Sequence, residues 1–539
     1  MSKSRKRVSR SSKPRGAKRR APPRARNRIS AEAMLAELKR RFAEISDLRF
    51  ANSLLSWDQA TYMPAGGARA RARQCATLSR LAHERLVDPA LGRLIDALTP
   101  YADRLSPDSD DASLVRVARR DFEKAIKVPS EHIARAKDLC SASYDAWTRA
   151  RPANDFAAMV PFLEQILELS REYAEFFAPY QHIADPLIDD ADEGMTTAAV
   201  HAVFAELRRE LVPMVRAIAA QPMIDNSCLR GSFPQAPQLD FNIAVIDRMG
   251  YDRARGRLDT THHPFCTKFS LGDVRITTRF DENAIDQALF STVHELGHGI
   301  YEQGVTRAFE GTPLGSGSSS GVHESQSRLW ENLVGRGRGF WVHFFPLLQK
   351  TFPDRLGAVK LESFYRAINR VERSLIRTDA DEVTYNLHIM LRFDLELKLL
   401  EGRLRVKDLP EAWRAAMQAD LGIVPPDDRD GCLQDVHWYG DFIGGQFHSY
   451  TIGNILSAQF YAAAERAHPE IAREIERGEF GTLHGWLREH LYRHGRKFPP
   501  NELIERATGA PMSMAPYLDY LRGKFGELYQ LPDIRSCVH

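Results

Sequence analysis

Two histidines four residues apart, with a glutamate beside the first, constrain this chain more than any other feature: Val293-His294-Glu295-Leu296-Gly297-His298-Gly299-Ile300. Positions four apart share one face of a helix, so His294 and His298 can grip a single ion if this segment is helical. Glu295 is turned about 100° from His294, which sets its carboxylate beside such an ion, free to take a proton from water. His-Glu-x-x-His is a recognised zinc-helix pattern with the glutamate as general base. Val293, Leu296 and Ile300 give the helix apolar flanks. Gly297 costs about 1 kcal/mol of helix propensity against Ala, but lets a second backbone approach. A catalytic zinc takes three protein ligands and leaves one position open. Glu324 lies 26 residues beyond His298, a spacing that suits a neighbouring antiparallel helix. Glu302, Glu310 and Glu331 are its rivals, and His323 could ligate or support.

Around this segment the chain reads as an ordinary globular protein. It has 539 residues, 43% of them hydrophobic and 27% charged, and no uncharged apolar run of the ~18 residues that a membrane span requires. Its six cysteines are scattered without a Cys-x-x-Cys pair, which predicts reduced thiols in a cytoplasmic compartment and no cysteine-based zinc site. The net charge of +3 hides a division: residues 1–30 hold 13 Lys/Arg and no acid, leaving an acidic remainder of 61 basic and 71 acidic groups. Residues 1–29 have almost nothing to bury and lack the apolar stretch of a secretory signal, so they read as a disordered basic arm. Such an arm could touch nucleic acid, or be an upstream extension with translation starting at Met34.

From residue 30 onward the chain reads as a single helical domain. Leu35, Leu38, Phe42, Ile45 and Leu48 recur at helical steps after Ser30, and Pro64 with the following glycines ends that pattern. Met159–Phe177 and Val200–Ile218 give two further stripes, the second with Thr196 or Thr197 as N-cap. The one convincing β region spans about 263–281: Thr267–Leu271 and Asp273–Thr277 suit a hairpin around Gly272. It either braces the metal helix or offers an edge to an extended peptide. A second helix begins near Val322 and runs on past Trp330. Another is expected from Leu361 to about Arg377, with Asp381 four residues further on as a partner for Arg377. Gln434, Asp435 and His437 gather polar groups in a segment with few charges, and a final helical region follows from Ile452 to about Tyr529.

Six stretches in order carry a resemblance: His263-Pro-Phe265, Asp273-x-Arg275-x-Thr277, His294-Glu-x-x-His298, His323-Glu-Ser-Gln326, Ile376-Arg-x-x-Ala-Asp381 and Gly431-x-x-Gln-Asp-x-His-Trp438. Together they resemble the carboxypeptidase Taq family of metallocarboxypeptidases over roughly residues 35–530, with Trp57-Asp58 and Met63-Pro64 matching its N-terminal region. The resemblance implies a nearly all-helical fold with a small sheet and a long substrate groove, a homodimer, and removal of single residues from peptides with a free C-terminus. It makes His294, His298 and Glu324 the ligands of one divalent ion, Zn2+ with Co2+ as the other choice, and Glu295 the general base. Arg377 is the expected anchor for the substrate α-carboxylate, with Arg275 as runner-up. His263, Gln434, His437 and Tyr450 are further substrate-binding candidates, and His263, His437 or Tyr450 would meet the oxyanion. A metalloendopeptidase or oligopeptidase would share the metal site but needs no carboxylate anchor. Two departures stand out: the basic arm, and Gly445-Gln-Phe-His-Ser-Tyr450 where the family commonly has Gly-Tyr-Phe-Pro-Thr-Tyr.

Overall fold

A computed structural model of the chain describes residues 1–2 and 30–531. Nearly all of the basic arm therefore lies outside the described residues. The first helix, α1 (Ala31–Thr61), starts where Ser30 accepts a hydrogen bond from the Ala33 N–H (3.2 Å) and buries Leu35, Leu38, Phe42 and Ile45. A short helix α2 (Asp185–Ala191) precedes α3 (Thr197–Ala219), whose N-cap is Thr196 and whose stripe Val200, Phe204, Leu207, Leu211, Val215 and Ile218 is fully buried. Here the period of the apolar residues alone decided the element.

The sheet has three strands, β1 (Leu258–Thr260), β2 (Cys266–Ser270) and β3 (Asp273–Thr278), in the order β1-β3-β2. The expected hairpin is β2 and β3, paired antiparallel with Cys266 opposite Ile276. Strand β1, parallel to β3, was not read from sequence, because three residues are too few for an alternating pattern to register. Val274 and Ile276 are fully buried beneath α4 (Asp286–Gly304), the helix that carries His294 and His298. Phe265 has both backbone groups tied to Thr277, at 2.8 Å to its hydroxyl and 3.0 Å from its N–H. At that point the hairpin braces the helix; Phe265 has no free backbone edge for a peptide.

Helix α5 (Ser320–Arg328) follows the Gly/Ser loop, capped by Ser319, and passes into a π-helical turn over Leu329–Gly335. The sequence reads this as one continuous helix, since apolar spacing does not register one widened turn. The helix expected over 361–377 stops at Ile368, where Asn369 turns its amide onto the Tyr365 and Arg336 carbonyls. Arg377 instead begins a short 3-10 turn, Arg377–Asp379. Next come α6 (Tyr385–Leu400) and α7 (His448–Ala467), both buried over most of their length. Apolar side chains gather in three clusters: one around α3 and α6, one around α4 and α5, and a smaller one under α1. Helix α7 divides the first two, sending Ile455 and Ala458 to one and Ile452, Leu456 and Phe460 to the other. The site lies along that seam. Among the described residues no helix is long and apolar enough to cross a membrane, and no cysteine is paired.

Candidate metal centre

Helix α4 presents His294 and His298 one turn apart, and α5 brings Glu324 to them, so that one ligand atom from each lies within 4.8 Å of the others. Two glycines make this approach possible. A Cβ on Gly297 would sit 2.5 Å from the Gln326 carbonyl oxygen, and one on Gly453 of α7 would sit 2.5 Å from Glu324 Cγ. Glu324 Oε1 accepts a hydrogen bond from Arg328 Nε at 2.7 Å. That leaves Oε2 facing His294 Nε2 at 3.8 Å and His298 Nε2 at 3.6 Å. The far nitrogen of each ring is also committed: His294 Nδ1 meets Glu331 Oε2 at 2.9 Å, and His298 Nδ1 meets His323 Nδ1 at 2.6 Å. Both Nε2 atoms are thereby left for an ion, the usual arrangement around metal-binding histidines. The donor types and their separations fit a divalent ion bonded at about 2.0–2.2 Å.

Each of the rival carboxylates has partners of its own. Glu302 accepts from Lys268 Nζ (2.5 Å) and meets His323 Nε2 (3.0 Å), so it supports His298 through His323. Glu331 supports His294. Glu310 binds the Leu271 N–H at 2.8 Å, away from the ions' seat. Burial alone would raise the Glu324 carboxyl, but Arg328 and His294 outweigh it and hold the group well below the carboxylate range. Glu331 is lowered in the same way by His294 and Arg328 against its burial. Burial pushes Glu295 up to about 7 against the pull of His294, with Glu324 and Glu331 adding to the rise. Burial drives His298 down to about 4.

These residues open on a cavity of about 1300 Å³, also lined by His263, Arg377, Tyr385, His437 and Tyr450. Arg377 is buried, and its guanidinium is gripped by Asp435 through Nε (2.5 Å) and Nη2 (3.1 Å), with Nη1 donating to the Tyr385 hydroxyl at 3.0 Å. The partner expected for it, Asp381, is elsewhere: it caps α6 by accepting from the Val383 and Thr384 N–H groups. Asp435 also accepts from Arg392 Nε (3.0 Å) and meets His437 Nδ1 (2.6 Å), while His437 Nε2 lies 3.1 Å from the Tyr450 hydroxyl. Burial and then the charges on His437 and Arg377 hold His263 below its ordinary value.

Two expected substrate residues are not brought to the cavity. Arg275 pairs with Asp273 at 2.8 Å and lies over the Trp57 and Phe269 rings at 4.4 and 4.8 Å, clamping α1 to the sheet. Gln434 sits behind the wall, accepting from the Arg377 backbone N–H (2.9 Å) and Arg392 Nη2 (2.8 Å). Sequence reasoning missed Arg328, Tyr385 and Arg392. A fully buried arginine inside the apolar run of α6 was a signal for the last, because a lone charge there requires a partner. At the departing segment, His448 Nε2 and the Ser449 hydroxyl lie 3.0 and 2.7 Å from Asp192, which also accepts from the Gly321 N–H at the start of α5.

Comparison with known proteins settles the family. The profile described as Carboxypeptidase Taq (M32) metallopeptidase matches residues 37–525. The chain belongs to this family. Thermostable carboxypeptidase 1 of Thermus thermophilus is 41% identical over 92% of this chain and 98% of its own. Carboxypeptidase 1 of Bacillus subtilis is 37% identical over 90% and 97%. Among solved structures, the M32 carboxypeptidase of Deinococcus radiodurans R1 superposes with a TM-score of 0.90 at 53% identity, covering 92% of this chain and all of that one. This M32 chain is therefore a metallocarboxypeptidase of mainly helical fold, and its class implies a divalent metal and peptide substrates.

Proposed function

We propose that this M32 carboxypeptidase releases single residues from peptides with a free C-terminus, with Glu295 as general base. The observation that carries this reading is Arg377. Of its five N–H donors, three are held by Asp435 and Tyr385, leaving two uncommitted on a residue that lines the same cavity as His294, His298 and Glu324. A forked guanidinium with two free N–H groups is suited to one carboxylate. An endopeptidase would have no use for it.

A Zn2+ ion, or Co2+ in its place, held by His294, His298 and Glu324 would lower the pKa of water and polarise a carbonyl. Glu295 takes the proton of the attacking water and later returns it to the leaving amine nitrogen. Its burial favours proton uptake, and a dication beside it would pull its pKa back down. Tyr450 is our choice for the oxyanion donor. It lines the cavity, and its hydroxyl lies 3.1 Å from His437 Nε2, whose other nitrogen meets Asp435. We further place the enzyme in a reducing cytoplasm, in keeping with the five unpaired cysteines among the described residues, and take the homodimer from the family resemblance; sedimentation of the purified protein checks the latter.

The test is a matched pair of peptides, one free and one amidated at the C-terminus. Losing one partner of a desolvated charge pair costs about 2–5 kcal/mol, so Arg377→Ala should lower kcat/KM on the free peptide roughly thirty-fold or more. The amidated peptide, already poor, should be nearly indifferent. Equal slowing of both would make Arg377 structural, and internal cleavage by the wild type would favour the endopeptidase.

A further inference from the structure

The ligand cluster and the carboxylate anchor are built on different cores. Arg328, on α5, is fixed to Glu324 Oε1, while Arg377 is fixed to Asp435 on the other side of the seam. One side chain touches both guanidinium groups. The Tyr385 ring lies under Arg328, 4.4 Å from its centroid, and the Tyr385 hydroxyl accepts the Arg377 Nη1 hydrogen at 3.0 Å. Tyr385 is itself held fast: it is buried, it stands at the first residue of α6, and its N–H is bonded to the Asp381 carbonyl at 2.9 Å. A phenol is rigid beyond two torsions, so ring and hydroxyl keep a fixed separation.

We infer that Tyr385 is a specificity-determining positioning residue that fixes the span between the metal ligands and the carboxylate anchor, and so the one-residue register of cleavage. It acts through Arg328 and Arg377, and rests on the reading of Arg377 given above. Tyr385→Phe keeps the stack on Arg328 but frees Arg377 Nη1 to move. In the metal-loaded full-length enzyme, the preference for a free over an amidated peptide should fall about tenfold or more, the scale of one hydrogen bond to a charged group. Mass analysis should also show C-terminal dipeptides appearing beside single residues. Tyr385→Leu, which loses the stack too, should in addition release the metal faster to a chelator. A merely structural tyrosine would slow both peptides by one factor, leave single residues as the sole product, and overturn the inference. Arg377→Ala runs alongside. If it abolishes the preference while Tyr385→Phe does not, the inference about Tyr385 alone fails. If Arg377→Ala leaves the preference intact, the anchor assignment falls, and the ruler with it.

Discussion

At the scale of single residues, the site separates groups that hold from groups that react. No hydrogen bond joins Glu295 to Arg328, Glu324, Glu331 or either histidine, whose partners lie elsewhere, so its loss should leave the seat intact. Glu295→Gln is expected to keep its metal content and fold while losing turnover, and Glu324→Ala to lose the ion; metal analysis after dialysis, beside a peptidase assay, checks both. Substantial activity in Glu295→Gln would remove the proposed base. The histidine pair was legible in sequence because a four-residue step on a helix is a local rule, whereas Glu324, on another helix, came from the family resemblance. The supporting shell was not legible, beyond the option that His323 supports. Lys268 sits on a strand, Glu302 one turn past His298, and His323 on another helix; only the fold brings them to one line. Arg275 misled for the same reason: a strand position beside the metal helix says nothing about which face its side chain takes, and that face belongs to Trp57.

At the scale of elements, close helix contact is what sets ligand geometry. Gly453 lets α7 press on Glu324 with no room for a methyl group. Gly453→Ala should therefore destabilise the protein by about 1–3 kcal/mol, as overpacking does, and weaken metal binding together with it. Gly485, on the helix Gly481–His490 with open space around it, is the control: Gly485→Ala should be neutral or slightly stabilising. Thermal melts and metal titration of the two variants compare them directly. Helices with a clean apolar stripe, such as α3, were readable from the residues alone. The break at Ile368 and the π turn after Arg328 were not, because each goes with a tertiary contact: Asn369 with the distant Arg336 carbonyl, and Glu331 with His294.

At the scale of the whole molecule, the sequence divides a basic arm from an acidic enzyme. Residues 1–29 carry almost nothing to bury, so deleting them should leave the melting temperature and peptidase rate unchanged while weakening any salt-sensitive nucleic-acid binding. A large loss of activity in the truncated enzyme would count against an independent appendage. The metal seat has a different reach. The proposed ligands come from α4 and α5, which pack into the same core, so the site exists only where that core is formed. An ion that binds the native chain alone stabilises it by mass action, by about 2.7 kcal/mol at a hundred times its dissociation constant. The melting temperature should climb with the logarithm of free metal and drop on chelation, as calorimetry across a buffered series would show. How much heat this enzyme survives is then set partly outside its sequence, by the metal concentration of the medium around it.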